Sequence, residues 1–323
     1  MFSKNTSLHS QPAAPKCLLE SPASISLAEL IACRFELRGL MLAPNKRSAA
    51  SFDRNVRAVF KGRGMDFDEV RPYAAGDDVR LLDWKVTARS GRPHTKVFRE
   101  ERERPVYIGL DLRAPMFFAT QGLFKSVWAT YAAALLAWSV SSRGDRLGGV
   151  LIADQDLVDI KPGRGHHAVL QFFKRITDLP IWKSPGGVTS LSAVLLNRAL
   201  LSLHRHARPG SLVVLFSDFR GFNASARARL LGLAQHYQVV LIYCYDPFEE
   251  TLPAAGMACV SNGGAELELD LAQTRLRAHY QGRFKERLDA VIALRNISGI
   301  RVITAKTIDD PLSVMARLLR GAK

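Results

Sequence analysis

Three short apolar runs in this chain end in an acid. Val106–Leu110 runs into Asp111, Leu212–Phe216 into Ser217-Asp218, and Val239–Tyr245 into Asp246. Short apolar runs bounded in this way are the pattern of buried strands. In an open parallel sheet, the residues just beyond the carboxyl ends of the strands are the ones that meet ligands. Gly186-Gly187-Val188-Thr189-Ser190 precedes a helical pattern, which makes Thr189 or Ser190 an N-cap. Asp111 and Asp218 with such a hydroxyl would form an oxygen ligand set of the kind Mg²⁺ prefers. The simpler alternative is that these residues only end strands and cap helices.

A second group of reactive types lies upstream, in Arg71-Pro-Tyr-Ala-Ala-Gly-Asp-Asp-Val-Arg-Leu-Leu-Asp-Trp-Lys-Val-Thr-Ala-Arg. Gly76 permits a tight turn, and Asp77 can accept amide hydrogens within it. Arg71, Arg80 and Arg89 offer planar paired donors to Asp78 and Asp83. Trp84 supplies a large apolar anchor. Two readings stay open. In one, an internal ion-paired lattice fastens this segment to the first strand of the sheet, so that losing Asp78 or Asp83 leaves buried arginines unpaired. In the other, the segment is a surface that engages a partner.

The elements that must position these groups follow from periodicity. A helix starts at Ser26, where Ser26-Leu27-Ala28-Glu29 fits a capping box; Leu27, Leu30, Ile31 and Phe35 share a face, and Gly39 is a stop. Residues 45–104 mix both charge signs with single apolar residues, which predicts short strands and turns. From Pro105 on, strands and helices alternate. The strands are expected at 106–110, 147–152, 212–216, 239–245 and 300–304. The helices are expected at about 124–143, 168–176, 191–205, 224–236, 273–296 and 311–319. Residues 157–160 fit a hairpin partner for 147–152, and 257–260 with 267–269 a further hairpin. The fold class is therefore α/β: a mostly parallel sheet with helices on both faces, preceded by a smaller β-rich segment. The organisation read from the sequence is a flexible tail (1–25), an N-terminal helix plus charged segment (26–104) and an α/β domain (105–323).

A strand ending in Asp111, a Thr-bearing loop before a helix, and a strand ending in Ser217-Asp218 resemble the von Willebrand factor type A fold. The metal-ion-dependent adhesion site of that fold uses D-x-S-x-S, a Thr and an Asp. Asp111, Thr189 and Asp218 match by position, but Arg113 and Pro115 stand where the two serines belong. The resemblance thus implies the fold with a degenerate site, no metal expected, and an Arg113 guanidinium paired with Asp111 or Asp218. The upstream segment resembles the signature of the bacterial family known as domain of unknown function 58, approximately R-x-Y-x-x-G-D-D-x-R-x-x-D-W-x-x-x-A-R. Arg71, Tyr73, Gly76, Asp77, Asp78, Arg80, Asp83, Trp84, Ala88 and Arg89 meet its fixed positions. That resemblance implies a von Willebrand type A-like domain partnered by a MoxR-type AAA+ ATPase in the maturation or assembly of a client protein.

Composition bounds the remaining choices. The chain has 323 residues, and 45 Lys+Arg against 30 Asp+Glu give a net charge of +15. The signature-bearing stretch 54–104 is nearly balanced, with 13 basic and 9 acidic residues. The excess lies in 157–211 (8 against 2) and 271–323 (11 against 4). Such a balance suits an acidic protein partner or an anionic membrane surface better than nucleic acid, which would call for an aromatic-rich basic platform. The basic helix 273–296 reads as a solvated face, and Lys161-Pro-Gly-Arg-Gly-His-His as a charged hairpin turn. Val127–Val140 is too short to span a bilayer and reads as a core helix. The start of the chain lacks a basic patch followed by an apolar run, so no secretory signal is expected. Cys17, Cys33, Cys244 and Cys259 have no zinc spacing and suit reduced cytoplasmic thiols. The sequence has no G-x-x-x-x-G-K-[ST], H-E-x-x-H or G-x-S-x-G. The expectation is a cytoplasmic, non-enzymatic interaction module without a cofactor or small-molecule substrate. The alternatives are a nucleic-acid-binding protein and a Mg²⁺-dependent hydrolase built on Asp111 and Asp218.

Overall fold

The computed structural model describes residues 19–41, 65–74, 77–100, 105–183, 192–261 and 266–319. The chain divides into two compact units, one within residues 49–103 and the other comprising the rest.

The larger unit is a six-stranded sheet. Its strands are β3 (Val106–Asp111), β4 (Arg146–Ile152), β5 (Leu157–Arg164), β6 (Leu212–Ser217), β7 (Gln238–Tyr245) and β10 (Ile300–Lys306). The order is β10-β7-β6-β3-β4-β5, with every neighbouring pair parallel except β4 and β5. Successive side chains point to opposite faces of a strand. Val214 and Phe216 of β6 therefore enter one core, with Ile108, Leu110 and Ile242. Val213 and Leu215 enter the other, with Tyr107, Leu241 and Tyr243. Helices cover both faces, so the inner strands β3, β6 and β7 are apolar on both sides and read as runs. The α/β architecture is consistent with the von Willebrand type A-like arrangement.

The first face is covered by α4 (Lys125–Ser142), α5 (Gly165–Thr177) and α10 (Pro311–Leu319). Helix α4 is buried from Lys125 to Val140, which matches its apolar composition on every side. Fully burying a side chain such as Val127 or Leu135 contributes about 1.5–3 kcal/mol. Its two tryptophans also satisfy their N–H groups. Trp128 Nε1 donates to Asp309 O at 2.8 Å and Trp138 Nε1 to Leu30 O at 2.9 Å. Gly144, at φ 78°, takes the left-handed conformation that follows the helix end. The second face carries α6 (Ser192–His206), α7 (Ala224–His236) and α9 (Thr274–Ile292). A separate hairpin joins β8 (Met257–Ser261) to β9 (Glu266–Asp270).

Several local expectations need correction. Residues 19–25, read as the end of a tail, are anchored: Ile25 is buried, and Phe124 N donates to Pro22 O at 2.9 Å. Residues 1–18 lie outside the described residues. The capping box at Ser26 and Glu29 is present, but the helix breaks at Cys33 into α1 (Leu27–Ala32) and α2 (Arg34–Met41). The buried face is Leu30, Cys33 and Leu37, while Leu27, Ile31 and Phe35 are exposed; Gly39 lies inside α2 rather than ending it. These helices belong to the unit that holds the sheet and pack into its core. The basic stretch from Lys161 is not a turn: β5 runs to Arg164, and α5 starts at Gly165.

In the smaller unit, β1 (Met65–Pro72) pairs antiparallel with β2 (His94–Glu100). Between them lie a single 3₁₀ turn, Val79–Leu81, and the helix α3 (Trp84–Ser90), where only strands and turns were expected. The helix forms because Asp83 caps it and Gly91, at φ 69°, closes it.

Candidate functional site

The carboxyl end of the parallel sheet gathers the acids singled out by the sequence. Asp111, at the end of β3, is fully buried and engaged on both oxygens. Arg113 Nε donates to its Oδ1 at 2.8 Å, and Arg113 Nη2 to its Oδ2 at 2.5 Å. Ser217 Oγ, at the end of β6, donates to the same Oδ2 at 2.5 Å. The third guanidinium nitrogen of Arg113 donates to Arg220 O at 3.0 Å. The expected pairing of Arg113 with Asp111 is thus a two-pronged charged contact, the strongest form available to these groups. Pro115 lies buried in a 3₁₀ turn, Ala114–Met116, that follows Arg113.

The next residue after Ser217 faces a cation that the sequence reading missed. Lys125, the first residue of α4, places Nζ 3.1 Å from Asp218 Oδ2 and 3.0 Å from each Glu249 oxygen. Arg220 completes the group: its Nη2 donates to Glu249 Oε1 at 3.0 Å, and its Nε stands 3.2 Å from Asp218 Oδ2. Lys125, Asp218 and Glu249 are buried, and Arg220 is about a third exposed. The chain turns sharply after Asp218 through Phe219, whose φ of 54° lies in the left-handed region. Such a conformation costs a non-glycine residue of order 1 kcal/mol or more. It is held by Phe219 N donating to Ser217 Oγ and by the Phe219 ring stacking on Tyr243.

Glu249 is positioned by its own short helix, α8 (Pro247–Glu250). Asp246 caps that helix and Glu249 reaches back to Asp246 N, a complete capping box. Asp246 also accepts from Thr120 Oγ1 and Thr307 Oγ1 at 2.6 and 2.8 Å.

Three buried carboxylates, on Asp111, Asp218 and Glu249, therefore face three fixed cations, on Arg113, Lys125 and Arg220. Burial by itself would raise the Asp218 carboxyl, but Lys125, then Arg220 and Arg113, outweigh it and hold it well below the usual range. Burial would lower the Lys125 ammonium, but Glu249 and Asp218 outweigh it and raise it. Arg113 and Arg220 are raised for the same reason: burial is overcome by Asp111 and Asp218 respectively. Burial pushes the Tyr243 hydroxyl up to about 12. This donor set does not fit a divalent cation, because the oxygens of Asp111, Asp218 and Glu249 are already held by guanidinium, ammonium and hydroxyl groups. Thr189 lies outside the described residues.

The signature in the smaller unit is built differently from the expected lattice. Asp77 closes its turn as expected, accepting from Ala74 N at 2.9 Å and pairing with Arg71 Nη2 at 2.7 Å. Asp78 is exposed and accepts from Arg80 N at 3.0 Å. Asp83 accepts from Lys85 N and Val86 N at 3.0 and 3.1 Å and stands 3.7 Å from Lys96 Nζ. Among the described residues, Arg80 and Arg89 pair with neither acid; both are exposed. Tyr73 is half-buried, and its N–H donates to Pro93 O. Trp84 is no anchor: it is 71% exposed, beside Val79 at 62%. Gly76 lies outside the described residues. Short-range caps satisfy Asp78 and Asp83 because each immediately precedes a helical turn, where free amides await an acceptor.

Lys125, Arg220 and Glu249 did not stand out as site residues in the sequence. Two signals were there. Asp246-Pro-Phe-Glu249 is a capping box, and a lysine at the first position of an apolar helix opposes the helix dipole unless acids meet it.

Two uncharacterized proteins, one from Mycobacterium bovis and one from Mycobacterium tuberculosis, are each 31% identical to this chain over 223 residues, covering 68% of it and 67% of their own length. The family described as "Protein of unknown function DUF58" matches residues 69–289, a span that holds both the signature from Arg71 and the buried charge cluster. The chain belongs to the DUF58 family.

Proposed function

We propose that this chain is a non-enzymatic interaction module, serving a MoxR-type AAA+ ATPase as an adaptor or co-chaperone in the maturation or assembly of a client protein. The observation that carries this reading is the exposure of the signature. Arg80, Trp84 and Arg89 lie at the surface of their unit. A large aromatic left in water, flanked by arginines, has the composition of an interface hot spot.

The carboxyl end of the sheet supports the same reading. Hydrolysis on Asp111 and Asp218 needs carboxylates free to hold a metal or accept a proton, and here each is committed to a fixed cation. Among the described residues no helix is long and apolar enough to cross a membrane. A cytoplasmic site of action belongs to the proposal.

The test is co-purification of the tagged chain from its native host, with ATP or ADP present. A MoxR-type ATPase is expected with the wild type and not with Trp84→Ala. Failure to recover that ATPase with the wild type under either nucleotide overturns the proposal.

A further inference from the structure

The two helices α6 and α7 leave a groove on the second face of the sheet unit. They pack side by side and bury Leu196, Leu203, Leu230 and Leu233 beneath them. Above these lies an opening of about 210 Å³ lined by Leu200, Leu201, His204, Arg229 and Gly232. Leu201 is 39% exposed, and Val194, two helical turns before it on the same side of α6, is 51% exposed.

Gly232 sits in the interior of α7, where glycine weakens a helix. A Cβ there would meet nothing within 4 Å, so packing does not require glycine. The missing side chain keeps the groove open.

Basic side chains dominate the two helices that form it. The two helices carry Arg198, Arg205, Arg227 and Arg229 and no acid. Arg198 is met by exposed Asp156 at 3.5 Å. The Nε of Arg229 is buried and has no hydrogen-bond partner among the described residues. An opening lined by Leu200 and Leu201, with Arg229 and His204 at its edge, complements apolar side chains flanked by carboxylates. Among the described residues its lining holds no Phe, Tyr or Trp of the kind on which single-stranded nucleic acid stacks.

We propose that the α6–α7 groove docks an acidic amphipathic helix of a protein partner. This rests on the interaction-module reading and assigns it a second contact surface, separate from the signature.

The experiment is fluorescence anisotropy on the full chain. The probe is a labelled helical peptide with leucines along one face and glutamates flanking them. Its lysine-flanked counterpart and a single-stranded DNA oligonucleotide serve as comparisons. The expected result is saturable binding of the acidic peptide and none of the lysine peptide. Gly232→Leu, which fills the groove, and Arg229→Glu, which reverses its rim, should each weaken binding at least about tenfold. The proposal is overturned if the acidic peptide does not bind, or if neither variant weakens it. It is also overturned if DNA binds and Gly232→Leu abolishes that binding. Loss of peptide binding by Gly232→Leu with ATPase recovery intact supports a separate groove. Absence of the ATPase from the wild type, with peptide binding unchanged, is instead the failure of the interaction-module reading.

Discussion

Lys125 Nζ lies 3.1 Å from Asp218 Oδ2, and neither side chain is more than 2% exposed. An ammonium thus stands beside the strand-end carboxylate, with Glu249 on its other side. Removing one partner of such a group leaves uncompensated charge in a site closed to water. Lys125→Met should therefore destabilise the protein by about 3–5 kcal/mol. Urea unfolding followed by circular dichroism measures this; a loss under about 1 kcal/mol would show that the carboxylates reach solvent or protonate without cost.

Acid stability should follow Asp218. Its carboxyl is held low in the folded chain by Lys125, Arg220 and Arg113 in spite of burial. A depressed native value means that the unfolded chain binds the proton more readily. The stabilisation is complete above the unfolded value of about 3.9 and is lost as pH falls below it toward the native value. Urea midpoints of the wild type should fall over that window, and Asp218→Asn should flatten the fall. Parallel curves for the two proteins would place the acid response elsewhere.

Divalent cations should leave the protein unchanged. Both Asp111 oxygens are engaged by Arg113, and Ser217 adds a third donor. A ligand that binds only the native state raises its melting temperature. With millimolar Mg²⁺ or Mn²⁺ the expected rise is no more than about one degree. A saturable rise that Asp111→Ala abolishes contradicts the charge-closed geometry.

The signature acids should be cheap to remove. Asp78 and Asp83 cap short helical turns at the surface, with no buried arginine depending on them. Asp78→Ala should leave the melting curve close to wild type, and Asp83→Ala should fray only α3. Cooperative loss of structure in either variant would restore the internal lattice that the sequence suggested.

Much of this was legible in the sequence where one physical constraint dominates. Strands buried on both faces must be apolar runs, so β3, β6 and β7 stood out, and with them Asp111, Asp218 and Asp246 at their ends. Arg113 in place of a serine announced a pairing with Asp111 or Asp218, and the contact is made with Asp111. Lys125 and Glu249 were harder, because they meet across 124 residues of chain and no local pattern couples them. The face of α1 and α2 is harder to read because both candidate sets fit a helical period, and only packing against the core selects Leu30, Cys33 and Leu37 over Leu27, Ile31 and Phe35. Trp84 reads as an apolar anchor from its size, yet the cap at Asp83 needs no apolar support and leaves the ring in water.

The exposed signature as a binding surface is tested most directly by titrating the purified MoxR-type ATPase, loaded with ATP, against the wild type and Trp84→Ala in a calorimeter. Surface substitutions of this kind change stability by no more than about 0.5 kcal/mol, so the two proteins should melt alike. The expected result is saturable binding by the wild type, weakened at least about tenfold in Trp84→Ala. Equal affinity of the two proteins, or no binding by either, contradicts the proposal.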